Sequence, residues 1–176
     1  MTPAAAAELL AGLFRGRGAS DAVHDRYREL LLAEGDLERL ALHDREYISS
    51  LVVTGKEKRA LAVYADTAER IPGFRLELPD QIARLVALAA RLGQAQRAVA
   101  LAQDFETRFP DSPDLPQVVL TAATLLSERL GRDEEACNRL RALLRSHGQH
   151  PLAELARTQL SALEQVLASP AGRRDA

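Results

Sequence analysis

Hydrophobic positions recur at spacings of three and four along most of the chain, the beat of an α-helix. Between Leu78 and Leu92, the residues Ile82, Leu85, Val86, Ala89 and Leu92 fall on one helical face. Leu120, Ala123, Thr124, Ser127 and Leu130 keep the same beat with two polar members. So do Leu61, Tyr64, Ala65, Ala68 and Ile71, then Val99, Ala102, Phe105 and Phe109. Near the end, Leu152, Leu155, Ala156, Leu160, Leu163 and Leu167 form a further stripe. Pro79, Pro116 and Pro151 stand at or near first turns, where a missing backbone N–H costs little. The pattern predicts nine helices, over 2–15, 20–34, 36–54, 56–71, 78–92, 94–109, 115–130, 132–147 and 151–168.

A second periodicity is laid over the first. Gly55, Gly93 and Gly131 are 38 residues apart. Five residues after each comes an alanine: Ala60, Ala98 and Ala136. Four further on stand Tyr64, Ala102 and Leu140, and twelve after each alanine stand Pro72, Pro110 and Gly148. The glycine suits a left-handed helix end, the alanine a close helix crossing, and the proline a point the helix cannot pass. Paired helices over about 36–72, 78–110 and 115–148 follow, with 151–168 as a terminal capping helix. Carried back by the same phase, Arg17 falls near a turn and Ala22 on the small-residue position, so 2–34 reads as a degenerate pair. The whole of 1–168 is expected to form one all-α domain, with a disordered tail at 169–176.

Composition agrees. Ala occurs 31 times and Leu 30 times among 176 residues, while Val, Ile and Thr total 19, which disfavours a sheet. One cysteine excludes an internal disulfide and any Cys-rich zinc site. A net charge of −2 gives no footprint for nucleic acid. The apolar stretch from Pro3 to Phe14 is broken by Glu8, is too short to span a bilayer and lacks the basic start of a secretory signal. The chain therefore reads as cytoplasmic, or as the soluble piece of a longer envelope or membrane protein.

The register Gly55–Ala60–Tyr64–Pro72, with its weaker copies Gly93–Ala98–Ala102–Pro110 and Gly131–Ala136–Leu140–Gly148, resembles the tetratricopeptide repeat. The resemblance covers about 36–151. Its period of 38 exceeds the family's value of about 34, which implies longer loops at 72–78 and 110–115. The family's Trp and Gly in the first helix are absent, with Ile48, Val86 and Thr124 at the small-residue position. The segments Arg108–Pro113 and Leu130–Ala136 are similar to the longer-period repeats of bacterial cell-envelope proteins. The resemblance implies a superhelix of hairpins with a concave groove lined by first helices. Its groove positions correspond to Arg45, Ser49 and Val52, then Asp80, Ala83, Ala87 and Arg91, then Thr121, Leu125, Glu128 and Arg129. Such an arginine-edged groove suits a helix or extended peptide carrying acidic residues. The alternative is that these side chains are ordinary packing and solvated faces. Lys and Asn at the positions that clamp a chaperone's terminal carboxylate are missing.

Candidate chemistry is sparse. His147 and His150 are three apart but lack further ligands nearby, so loop histidines are expected in place of a metal site. His24-Asp25-Arg26 and His43-Asp44-Arg45 are identical tripeptides 19 apart. Neighbours on a helix diverge, so both are expected on polar faces, not as acid–base pairs. Cys137 aligns with Leu61 and Val99 and is expected to be packed. Arg15-Gly16-Arg17-Gly18 is expected to be a helix break. No phosphate-binding, dinucleotide or zinc-hydrolase motif is present in the sequence. The expectation is a non-catalytic scaffold without cofactor that binds a protein or peptide. The second expectation is a self-association module, pairing through the N-terminal helix 3–14.

Overall fold

The computed structural model describes residues 20–169. Among them there is no strand, and nine helical segments succeed one another. They are α1 (Asp21–Glu34), α2 (Leu37–Val53), α3 (Glu57–Arg70), α4 (Pro79–Arg91), α5 (Ala95–Leu101), α6 (Phe105–Arg108), α7 (Leu115–Leu130), α8 (Asp133–His147) and α9 (Ala153–Ala168). The expected helix 2–15 and all but the first residue of the expected tail 169–176 lie outside the described residues. The chain gathers into two compact units, one ending at Arg75 and the other starting at Leu76. No helix among the described residues is long and apolar enough to cross a membrane.

Three helix hairpins are present among the described residues. In the first unit α2 packs on α3; in the second α4 packs on α5 and α7 on α8. All three turns carry a left-handed glycine. Gly55, Gly93 and Gly131 have φ of 76°, 71° and 63°, the left-handed region. At Gly93, the Gln94 N–H donates to the Ala89 carbonyl at 2.9 Å and the Gly93 N–H to the Ala90 carbonyl at 3.0 Å. These two bonds satisfy carbonyls that the helix end leaves unpaired. Lys56 with Gly55 repeats the pattern, whereas at the third turn the Gly131 N–H donates to the Ser127 carbonyl at 3.3 Å and the Arg132 N–H to the Leu126 carbonyl at 2.8 Å. The alanines that follow, Ala60, Ala98 and Ala136, are all at 0% exposure. A Cβ methyl is what each site holds.

The first unit adds α1 against α2. Tyr27, Leu31 and Leu40 form a buried cluster there, with Leu30, Leu32 and Ile71 packed against it. Gly35 closes α1 at a φ of 71°, and the Asp36 carboxylate accepts the Arg39 N–H at 3.0 Å to start α2. The first helix of the expected degenerate pair 2–34 lies outside the described residues. In its second helix Ala22 is exposed, and Tyr27 and Leu31 are the residues that α1 buries.

In the second unit α7 also packs on α4, α5 and α6, and α9 packs on α8. The expected single helix 94–109 is divided. Residues 102–104 form a turn, and Asp104 takes a φ of 55°, an unusual conformation that Asp tolerates better than most residues. The break sets Phe105 at 1% exposure in the core. The Ala102 carbonyl there accepts both the Phe105 N–H and Arg139 Nη1 of α8, each at 3.3 Å. On α9, Ala156 and Leu163 are buried as expected, but Leu155 faces solvent.

Replacing the buried Ala60 by leucine should cost about 1–3 kcal/mol in urea unfolding, because a well-packed crossing must open to admit it. Ala62→Leu, two residues along on the exposed side of α3, should change stability by less than about 0.5 kcal/mol. Equal effects would contradict the close crossing.

Candidate functional site

The groove positions fall on three helices. Arg45, Ser49 and Val52 lie on α2 in the first unit. Asp80, Ala83, Ala87 and Arg91 lie on α4, and Thr121, Leu125, Glu128 and Arg129 on α7, in the second. Because α4 packs on α7, these eight share one helix pair. Asp80, Ala87, Arg91, Glu128 and Arg129 are exposed, while Ala83 and Thr121 are half-buried. Two positions are corrected. Leu125 and Val52 are buried, at 9% and 1% exposure, so they are core residues unable to meet a partner. Arg45 is already employed: its Nε donates to the Arg75 carbonyl at 3.0 Å and its guanidinium lies 5.3 Å from the Phe74 ring centre. That arginine pins the segment after α3 to its own unit.

The second unit also has a cleft of about 480 Å³ that the groove positions do not include. Val99 and Leu130 line it, with Gln96, Gln103, Arg132 and Arg139 around them. Its cations are matched: Arg132 pairs with Glu135, and Arg139 approaches Glu106 at 3.6 Å and Glu135 at 3.7 Å. The cleft has no surplus charge to attract an ionic ligand. It opens where α5 breaks, and the break has no signal in the Ala-rich sequence.

The largest departure from expectation is in the first unit. The two His-Asp-Arg tripeptides do not lie on separate solvated faces. His24 of α1 and His43 of α2 meet, with Nδ1 of the former 3.0 Å from Nε2 of the latter. His43 Nδ1 lies 3.0 Å from the carboxylate of its own neighbour, Asp44. Asp44 is completely buried. It accepts from Arg28 Nε at 2.8 and 3.0 Å, and Thr67 Oγ1 stands 2.5 Å away. Arg28 in turn donates through Nη2 to Asp66 at 2.7 Å. One arginine of α1 thereby reaches carboxylates on both α2 and α3.

The geometry orders the protons. Burial alone would raise the Asp44 carboxyl, but bonds from His43, Arg28 and Thr67 outweigh it and hold its pKa below the ordinary value. An ionised carboxylate only accepts, so His43 Nδ1 is the donor to it. In the neutral His43 ring Nε2 is then the acceptor, and His24 Nδ1–H donates. The His24 ring stacks on Tyr47 with centres 3.9 Å apart and planes at 7°. Burial, and then the neighbouring His43 ring, push the His24 imidazole down to about 4. Tyr47 Oη accepts from Arg59 Nε at 2.8 Å, and Arg59 also grips Asp25 at 2.6 Å. Chemically this is a line of hydrogen bonds that ties three helices together. Its Thr67 hydroxyl is fully enclosed and sits 2.8 Å from the Val63 carbonyl.

The remaining candidates have local roles. His150 Nδ1 accepts the Leu152 N–H at 3.2 Å before α9, and His147 Nδ1 lies 2.8 Å from Ser146 Oγ. Among the described residues no group of three or more metal-ligating side chains converges. Cys137 is buried, and burial raises its thiol pKa.

Asp44→Ala should destabilise the chain by about 3 kcal/mol or more, since it leaves a largely buried Arg28 short of its partner. Glu29→Ala removes the exposed pair with Arg26 and should cost less than about 1 kcal/mol in the same unfolding experiment. Similar losses would contradict the assignment of Asp44 as the centre of the network. No protein-family model matches the chain, and no curated protein matches it.

Proposed function

We propose that this chain is a non-catalytic helical-repeat scaffold that binds a protein partner, as a helix or an extended peptide, along the first helices of its hairpins. The observation that carries this is a division of labour among the arginines. Arg28, Arg45, Arg59, Arg108 and Arg139 are all engaged in holding helices and loops. Arg91 and Arg129, by contrast, are exposed on α4 and α7 beside Ala87, together with the acidic Asp80 and Glu128. A small-residue floor with charged edges favours a docked segment of complementary charge. A tetratricopeptide-like superhelix of the three hairpins, and a cytoplasmic bacterial setting, belong to the same proposal. The 38-residue register supports the former.

Self-association is the second reading, and α9 supplies an observation for it. Leu155, Ala162 and Val166 recur at seven and four residues on its exposed side. The terminal helix of a repeat array ordinarily turns a polar face outward. The N-terminal helix 3–14, proposed from sequence for the same role, lies outside the described residues.

The double variant Arg91→Ala/Arg129→Ala should lose most partner capture from extracts of the source cell while its circular dichroism and melting point stay unchanged. Undiminished capture would remove the groove reading. Light scattering of the intact chain discriminates the second reading: a mass near 19.2 kDa opposes it, and twice that value, falling back in Leu155→Glu/Val166→Glu, supports it.

A further inference from the structure

We propose that the Leu155–Ala162–Val166 stripe of α9 is the contact surface of a closed two-fold dimer, in which α9 of a second copy lies on it; this rests on the self-association reading above and names its contact.

α9 (Ala153–Ala168) is displaced from α7 (Leu115–Leu130) by 38 residues at both ends, the interval that also separates the glycine turns. It therefore stands in the register as the first helix of a fourth copy. Ala153, Ala156 and Leu163 are buried, as are their counterparts Leu115, Val118 and Leu125. Elsewhere the two helices differ in a directed way. Val119, Ala123 and Leu126 are buried in α7, and the matching Arg157, Ser161 and Glu164 are exposed in α9. That side of α9 is fitted to water. The reverse change occurs at Gln117, Thr124 and Glu128, whose counterparts are Leu155, Ala162 and Val166. Leu155 and Val166 are left 55% and 54% exposed. A helix adapted only to end an array would be polar here as well.

The place of the stripe indicates what it meets. Gln159 of α9 donates through Nε2 to Thr124 Oγ1 of α7 at 2.9 Å, so the Thr124 side of α7 turns toward the next first helix. Ala162 holds in α9 the place that Thr124 holds in α7. The equivalent side of α9 accordingly turns toward the seat of one more first helix. The stripe carries no charge, and the polar residues beside it are Thr158, Gln159 and Gln165. The charged residues of α9 are held elsewhere: Arg157 by Glu154 and the Gly148 carbonyl, and Glu164 by Arg141. A helix seated on the stripe must itself present an uncharged face, because a charge buried there would have no partner. α9 of a second copy presents that face.

Each copy then offers the same patch, so the contact is isologous and closes at two. Ala162 lies between Leu155 and Val166, which puts it near the two-fold axis and close to its own counterpart. Its small side chain lets the helices approach, and burial of Leu155 and Val166 in both copies drives association. One helix from each copy makes a small interface, so the dimer is weak.

Disulfide trapping of the full chain reads this contact. The native Cys137 is 1% exposed and stays out of the reaction. Under mild oxidation Ala162→Cys should cross-link about tenfold faster than Ser161→Cys, since the bond needs Cα atoms within about 7 Å and the neighbouring position points away from the partner. Light scattering of the parent chain at about 100 µM should give a mass approaching twice 19.2 kDa. A dimer whose two cysteine variants cross-link alike would overturn the α9 contact and leave self-association standing. A chain that stays at 19.2 kDa, as it would were the stripe covered from within the same chain, overturns both. A mass that keeps rising past the dimer overturns the closed arrangement.

Discussion

A helix that ends on a residue with positive φ reverses its chain within two residues and satisfies its last carbonyls as it does so. The hairpins of this protein depend on that closure. Gly55, Gly93 and Gly131 each adopt it, and each is followed at a fixed distance by an alanine with no exposed surface. The two features act together. The turn sets where the second helix begins, and the alanine sets how near it can lie to the first. Leu, Val and Ile then fill the space on either side of the crossing, as Leu85, Val86 and Leu126 do in the second unit.

Arginine has a second, distinct part in the architecture. Its forked donors reach across elements to carbonyls and carboxylates. Arg45 takes the Arg75 carbonyl, Arg108 the Leu76 carbonyl at 2.5 Å, and Arg139 the Ala102 carbonyl at the broken helix. Arg28 bridges Asp44 and Asp66. Lysine could not make these bidentate or carbonyl-directed contacts with the same order, which gives the abundance of arginine a structural use.

Helix type and ends were legible in the sequence because glycine and proline punctuate it and the apolar spacing is regular. Eight of the nine expected segments concern described residues, and seven of those are present as single helices. The eighth, 94–109, is not, since nothing in Ala102-Gln103-Asp104 opposes a helix locally. The burial of Phe105 and the bond from Arg139 are tertiary, and they decide the break. The histidine network was hidden for a related reason. Adjacent helical side chains leave the backbone in different directions, yet His43 and Asp44 still meet at their tips. The 19-residue interval between the two tripeptides has meaning only once α1 lies on α2. Exposure was partly legible: Asp80, Arg91, Glu128 and Arg129 are exposed on α4 and α7. Val52 and Leu125 could not be separated from them by spacing alone, and are core.

The central claim is that left-handed glycine closures specify the hairpins. Gly93 tests it most cleanly, because a Cβ there would meet nothing within 4 Å and only the backbone conformation opposes a side chain. Urea unfolding of Gly93→Ala should show a loss of about 1 kcal/mol, with Gly93→Asn losing less because Asn tolerates the left-handed region. An alanine variant as stable as the parent would contradict the account.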